Sequence, residues 1–260
     1  MDKVMRKQAG FGLVELMIAL VLSLIVVGGL YAALIGDQKS YEATRANHIL
    51  VNKNRMTAQT LRLYIQQAGY RAITQLETNQ PLLAVTTADS SGYTWVEGQL
   101  IQGLNNQTSF NGAKEQTDVL SFRFFGDSGI YQCNGEELSA NTVLTMSFFI
   151  STSNQLMCRD SESVNDTVFD DNVDDFQVLY GRLDHSSDGD SFKYYTADNV
   201  TNWEQINRVK VGLLISQEVT MGSLTNAATY KVLDQNIAAF NDKKLRQVVS
   251  ETVLLLNTGV

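Results

Sequence analysis

Proline is almost absent: Pro81 is the only one in 260 residues. Proline-rich linkers are therefore excluded, and domain boundaries must be marked in other ways. Histidine is nearly as scarce, with His48 and His185 alone, and there are two cysteines, Cys133 and Cys158. That is too few for a structural zinc site. A Ser-His-Asp arrangement is not legible, because His48 falls in a helical pattern and His185 in an acidic stretch. No glycine-rich phosphate loop and no metalloprotease motif occur. Nor is there a cluster of Lys and Arg. With a net charge of −8 and a pI of about 4.8, the chain is a poor partner for nucleic acid. Internal repeats and low-complexity tracts are missing, and no cofactor is implied.

What is present is unevenly spread. Apolar residues make up 44% of the chain, enough for one or two domains with a proper core. The membrane-grade stretch lies within the first forty residues. The run from Leu16 to Ile35 carries no charge. Twenty helical residues span about 30 Å, the thickness of a bilayer core. Asp2, Lys3, Arg6 and Lys7 before it sum to +2, which keeps the short flank in the cytosol and puts the far side outside. A cleaved secretory signal is the rival reading, with its cut near Ala33. The run passes unbroken into a helical pattern, which argues for a retained anchor. In an exported chain the even cysteine pair reads first as a Cys133–Cys158 disulfide, two buried thiols being the alternative.

Past the apolar run, Ala46, Ile49, Leu50, Met56, Leu61, Tyr64, Ile65 and Ala68 recur in steps of three and four. They trace one face of an amphipathic helix, with Gly69 as its stop. The predicted helix runs from Phe11 to Ala68, roughly 87 Å. Gly28, Gly29 and Gly36 each weaken it by about 1 kcal/mol relative to alanine. They mark either a stretch that loosens when the chain leaves the membrane or a place of close helix packing.

After Gly69 the periodicity changes. "VLSFRFF", "TVLTMSFFI", "NQLMC", "DDFQVLYG", "FKYYT", "NRVKVGLLIS" and "QVVSETVLLL" are short, β-branched and aromatic, and turn residues separate them. The predicted fold class is α+β: a long N-terminal helix whose wet half packs on a C-terminal antiparallel sheet domain. Residues 75–114 read as loops, with strands near Leu82–Thr86 and Tyr93–Val96. Asp170–Asp171 and Asp174–Asp175 read as a solvated loop and a strand start rather than a catalytic pair. In "LDHSSDGDSFKYY", Asp184, Ser186, Asp188 and Asp190, with Gly189, follow the spacing of the first half of a calcium loop. Tyr195 stands where a bidentate Glu is required, so an Asp/Gly/Ser hairpin turn is the favoured reading.

"KQAG" followed by "FGLVELMIAL" resembles the class III leader of type IV pilins and type II secretion pseudopilins. Gly10, Phe11, Leu13, Val14, Glu15 and Leu16 match it, and Gly12 stands where threonine is usual. The resemblance implies a prepilin peptidase that cuts between Gly10 and Phe11, and N-methylation of Phe11. Removing a leader of +2 from a chain of −8 leaves −10. Farther on, "QQAGYR", "DVLSFRFFG", "CNGEE", "SFFIS", "QLMC", "VDDFQVLYGRLD" and "ETVLLLN" follow one another as in PilW-type minor pilins. That family's usual Arg-Asn ending is Leu256-Asn257 here. J-type pseudopilins share the architecture, so a type II secretion system stays open.

The resemblance divides the chain into a leader (1–10), a membrane and assembly half of the helix (11–36), an amphipathic half (37–69) and a periplasmic β-rich domain (70–260). It implies an inner-membrane subunit with one span that later enters a filament. Its partners would be the prepilin peptidase, the inner-membrane assembly platform, other minor pilins and the major pilin. A membrane-anchored periplasmic enzyme or ligand-binding domain is the rival from another class. An ionised carboxylate in a bilayer costs roughly 2.5–3.5 kcal/mol, so Glu15 needs a partner. Cleavage creates an amine on Phe11, and Glu15 of one subunit can neutralise the Phe11 amine of a neighbour. The alternative is that Glu15 merely reaches the membrane surface.

Overall fold

The computed structural model describes residues 12–87, 93–107, 109–162, 165–186, 189–219 and 227–258, with the backbone alone at 185 and 186. Helix α1 runs over Leu13–Gln66, 54 residues, or about 81 Å at 1.5 Å each. It ends where sequence periodicity placed its stop. Gly69 adopts a φ of 71°, and its N–H donates to the carbonyl of Arg123 at 2.7 Å. That left-handed conformation favours glycine. A one-turn helix, α2 (Ile73–Glu77), follows.

Two larger antiparallel sheets form the rest, where a single sheet was expected. The first is a five-stranded meander in chain order: β1 (Ile101–Leu104), β2 (Val119–Phe125), β3 (Val143–Ile150), β4 (Leu156–Asp160) and β5 (Thr167–Asp170). The second contains β6 (Val173–Ser186), β7 (Gly189–Tyr195), β8 (Arg208–Glu218) and β11 (Lys244–Leu254), in the order β11-β8-β6-β7. A small hairpin pairs β9 (Tyr230–Val232) with β10 (Gln235–Ile237).

β2 and β3 read as nearly continuous apolar runs because both of their faces are covered. Phe122 and Phe148 face the main core, where Tyr64 of α1 meets Phe148 edge-on with ring centroids 6.0 Å apart. Phe149 points the other way, into a second cluster with Tyr93, Trp95 and Phe110. The buried hydroxyls of Ser121 and Ser147 lie opposite each other and are hydrogen-bonded at 2.6 Å.

The strands expected at Leu82–Thr86 and Tyr93–Val96 reduce to one bridge, Val85 to Trp95. The buried Arg123 guanidinium holds this irregular region. It donates to the carbonyls of Leu83 (2.7 Å), Val96 (3.2 Å) and Gln99 (2.7 Å) and lies 4.6 Å from the Trp95 ring centre. Backbone groups of a loop are thereby satisfied by a side chain in place of a ladder.

Candidate assembly site on the N-terminal helix

The two halves of α1 have opposite surroundings. From Gly12 to Leu34 every side chain is exposed, including Leu16, Ile18, Leu22 and Ile25. An apolar surface of that length is insoluble on its own and matches a bilayer core. At its head, the Gly12 N–H donates to the Glu15 carboxylate at 3.1 Å. The side chain thus reaches back to a helix-terminal N–H that has no partner inside the helix, and its charge favours the positive end of the helix dipole. Gly10 and Phe11 lie outside the described residues. A β-carbon added at Gly28, Gly29 or Gly36 would meet nothing within 4 Å among them. Any close packing at these glycines is therefore with another chain.

The second half is anchored. Ala46, Leu50, Leu61, Ile65 and Ala68 are buried, as their spacing predicts. Ile49 and Met56 are not: they are 41% and 68% exposed. The face that packs on the sheets is centred nearer Leu50, Asn54 and Leu61, and it admits Asn54 and Thr57. Lys53 pairs with Asp170 at 3.0 Å, Thr57 donates to the same carboxylate, and Arg62 pairs with Glu251 at 3.0 Å. The two contacts to Asp170 tie α1 to the first sheet, and the Arg62 pair ties it to the second. His48 is an exposed helix residue.

Cys133 and Cys158 form a disulfide with Cα atoms 5.6 Å apart. It joins β4 to the segment that covers the end of α1. There Gln67 donates to the Tyr131 carbonyl (3.2 Å) and accepts from its N–H (2.7 Å). The calcium-like spacing falls on the β6–β7 hairpin. Asp184 and Ser186 lie on β6 and Asp190 on β7, and Asp184 is paired with Lys193 across the hairpin. Asp188 and the side chains of His185 and Ser186 lie outside the described residues.

Asp174 and Asp175 open β6, the strand start expected from the sequence. The two residues are 2% and 5% exposed. Asp174 accepts from Arg246 Nε at 2.7 Å, and that guanidinium also grips Asp242 with two bonds of 2.6 Å. Asp175 accepts from Gln177 at 2.9 Å. Close by, Asp118 accepts the N–H of Asn106 (2.8 Å) and of Val178 (2.7 Å), which stitches the two sheets together. Burial pushes the Asp118 carboxyl up to about 7 and that of Asp175 up to about 6. The Arg246 bonds hold Asp242 down at about 2. Of these, Asp174 and Asp175 border a cleft of about 760 Å³ that is also lined by Lys114, Gln116 and Phe240. They bond to backbone or neighbouring side chains. Among the described residues no group of three or more His, Cys, Asp or Glu is arranged to hold a metal ion.

Sequence reasoning missed Asn257 as a functional side chain. Its amide donates to the carbonyls of Gln66 (3.3 Å) and Ala68 (3.0 Å), capping the end of α1. The asparagine of the expected ending was the available signal.

An exposed apolar helix, headed by a carboxylate and continued into a domain of antiparallel sheets, defines a pilin-like subunit. Residues 147–257 match the family of type IV pilus-assembly protein W, and residues 5–31 match the prokaryotic N-terminal methylation motif. The chain thus carries a PilW domain over residues 147–257 behind a methylation motif at its head, the make-up of a type IV pilin-like minor pilin. Among solved structures, a type IV-like pilin from Thermus thermophilus is similar. It has 16% identity and a TM-score of 0.44, over 81% of this chain and 98% of that one. A comparison with curated proteins finds no match.

Proposed function

We propose that this minor pilin helps to prime assembly of a type IV pilus and sits at the filament tip with other minor pilins, next to the major pilin. Before assembly it is held in the inner membrane by the first half of α1, with the β domain in the periplasm. Prepilin peptidase removes residues 1–10, and the new Phe11 amine is methylated. The observation that carries this reading is one chain holding both the methylation motif on a bare apolar helix and the PilW match on the β domain. Such a helix leaves a bilayer only when neighbours cover it. In the packed helix bundle Glu15 neutralises the Phe11 amine of an adjacent subunit, which turns the cost of a carboxylate in the membrane into a signal for assembly. The Gly12 N–H that holds Glu15 in the single chain is the resting partner in this scheme. The inner-membrane assembly platform would drive the transfer.

The reading is tested on cells lacking this chain. They should make few filaments, and gold-labelled antibody to the restored chain should mark one end of sheared filaments. Normal filament numbers without it, or label along the whole shaft, would refute the priming and tip assignment.

A further inference from the structure

The periplasmic half of α1 keeps an apolar stripe that its own domain does not cover. Ile49, Met56 and Leu63 are spaced by seven, and they are 41%, 68% and 65% exposed. Seven residues are close to two helical turns, so the three side chains stand in line along one side of the helix. Beside it, Ile49 and Met56 border a shallow groove closed on its far side by Phe169 and Asp170.

The charge of this helix is opposite to that of the protein. Residues 43–66 hold Arg45, Lys53, Arg55 and Arg62 and no Asp or Glu, whereas residues 67–260 hold 12 Lys and Arg against 24 Asp and Glu. Lys53 and Arg62 are paired within the chain. Arg45 and Arg55 are exposed and form no ion pair among the described residues. A row of apolar anchors flanked by unpaired arginines suits a partner surface with an apolar centre and acidic rim. The acidic domain of this chain shows that a pilin domain can have that charge. A basic helix face meeting an acidic domain face is also a contact between unlike patches. Repeated, such contacts extend into a filament and do not close into a dimer.

We propose that the stripe Ile49–Met56–Leu63, with Arg45 and Arg55, is the docking surface for the acidic β domain of a neighbouring pilin-like subunit. The inference rests on the filament-subunit reading and adds a second contact on the outer side of the anchored half of α1, separate from the packing of the membrane halves. It selects neighbours by the charge of their β domains.

The test places a photo-reactive phenylalanine at Met56, or at Leu24 as a membrane-half control, in the full chain in its own cells. Illumination at position 56 should yield a covalent adduct whose second chain carries an N-terminal methylation motif, with the attached peptide rich in Asp or Glu. Arg45→Glu combined with Arg55→Glu should lower that yield at least about tenfold and leave the yield at position 24 within about twofold. The inference is overturned if position 56 labels only lipid or a protein of another class. It is equally overturned if position 24 reacts with a pilin-like chain while position 56 does not, or if charge reversal has no effect. Loss of pilin-like adducts from both positions would remove the filament-subunit reading as well.

Discussion

The hydroxyl oxygen of Tyr180 lies 1.9 Å from the point where a β-carbon on Gly103 would stand. Gly103 is on β1 and Tyr180 on β6, so the absence of one side chain lets the two sheets close. The carbonyl of Val119 crowds the same point at 2.4 Å. Gly103→Ala should therefore destabilise the domain by about 2–3 kcal/mol, read from denaturant unfolding of the detergent-solubilised chain. Tyr180→Phe removes a buried hydroxyl that has no hydrogen bond among the described residues, so alone it should be neutral or slightly stabilising. Combined with Gly103→Ala it should restore part of the loss. Strict additivity of the two changes would mean that the sheets separate elsewhere.

Glu15 has two possible duties, and two substitutions separate them. Glu15→Gln keeps an oxygen for the Gly12 N–H but carries no charge. Glu15→Val keeps neither. Both should insert into membranes at least as well as the native chain, because each removes an ionised group from the apolar segment. If neutralising a neighbour's amine is the main duty, both should be incorporated into filaments poorly and to a similar extent. Near-normal incorporation of Glu15→Gln beside failure of Glu15→Val would assign the residue to capping its own helix.

Stability should depend on pH with an unusual sign. Asp118 and Asp175 are raised by burial to about 7 and about 6, so the folded chain holds their protons where the unfolded chain, near pH 4, has released them. Their contribution is full below about pH 4 and is lost as pH rises through about 6 to 7. Asp242, held at about 2, acts in the opposite sense: its contribution is present above about pH 4 and lost as pH falls toward 2. Unfolding midpoints should therefore peak at mildly acidic pH and fall toward pH 8. Asp175→Asn should flatten that fall, because the amide oxygen can still accept from Gln177. An unchanged slope in the variant would clear Asp175 of the effect.

The far end of α1 is held in two ways. Reduction of Cys133–Cys158, a bridge over 25 residues, should cost about 3 kcal/mol. Asn257→Ala, which strips the cap from Gln66 and Ala68, should cost about 1 kcal/mol. Calorimetry on the full chain, with and without reductant, measures both. The two losses should couple, since the disulfide-bound segment and Asn257 both contact the last turn of the helix.

Much of this architecture could be read from residue order. The seven strand segments were legible because apolar runs broken by turn residues admit few alternatives, and β2 and β3 are buried on both faces. The strands β1, β5, β9 and β10 were not, since three or four residues carry no period. The split into two sheets depends on close approaches such as Tyr180 to Gly103, which no local pattern encodes. The burial of Asp174 was not legible because its partner, Arg246, is 72 residues away. Ile49 and Met56 looked buried because periodicity finds an apolar face without saying which chain covers it. Glu15 stood out because a carboxylate at the head of an oily run is conspicuous, while Asn257 looked like any polar residue near a strand end.

The cap on α1 also has a meaning in time. The helix is made early, yet Asn257 is separated from Gln66 by 191 residues, and β11, on which the buried face of α1 lies, is the last strand in order. Ala46, Leu50 and Leu61 therefore wait, unprotected, until nearly the whole domain has been synthesised and threaded across the membrane. Long-range closure of this kind is slow. The interval leaves the chain open and threadable during export. Only a fully delivered chain acquires a finished helix end.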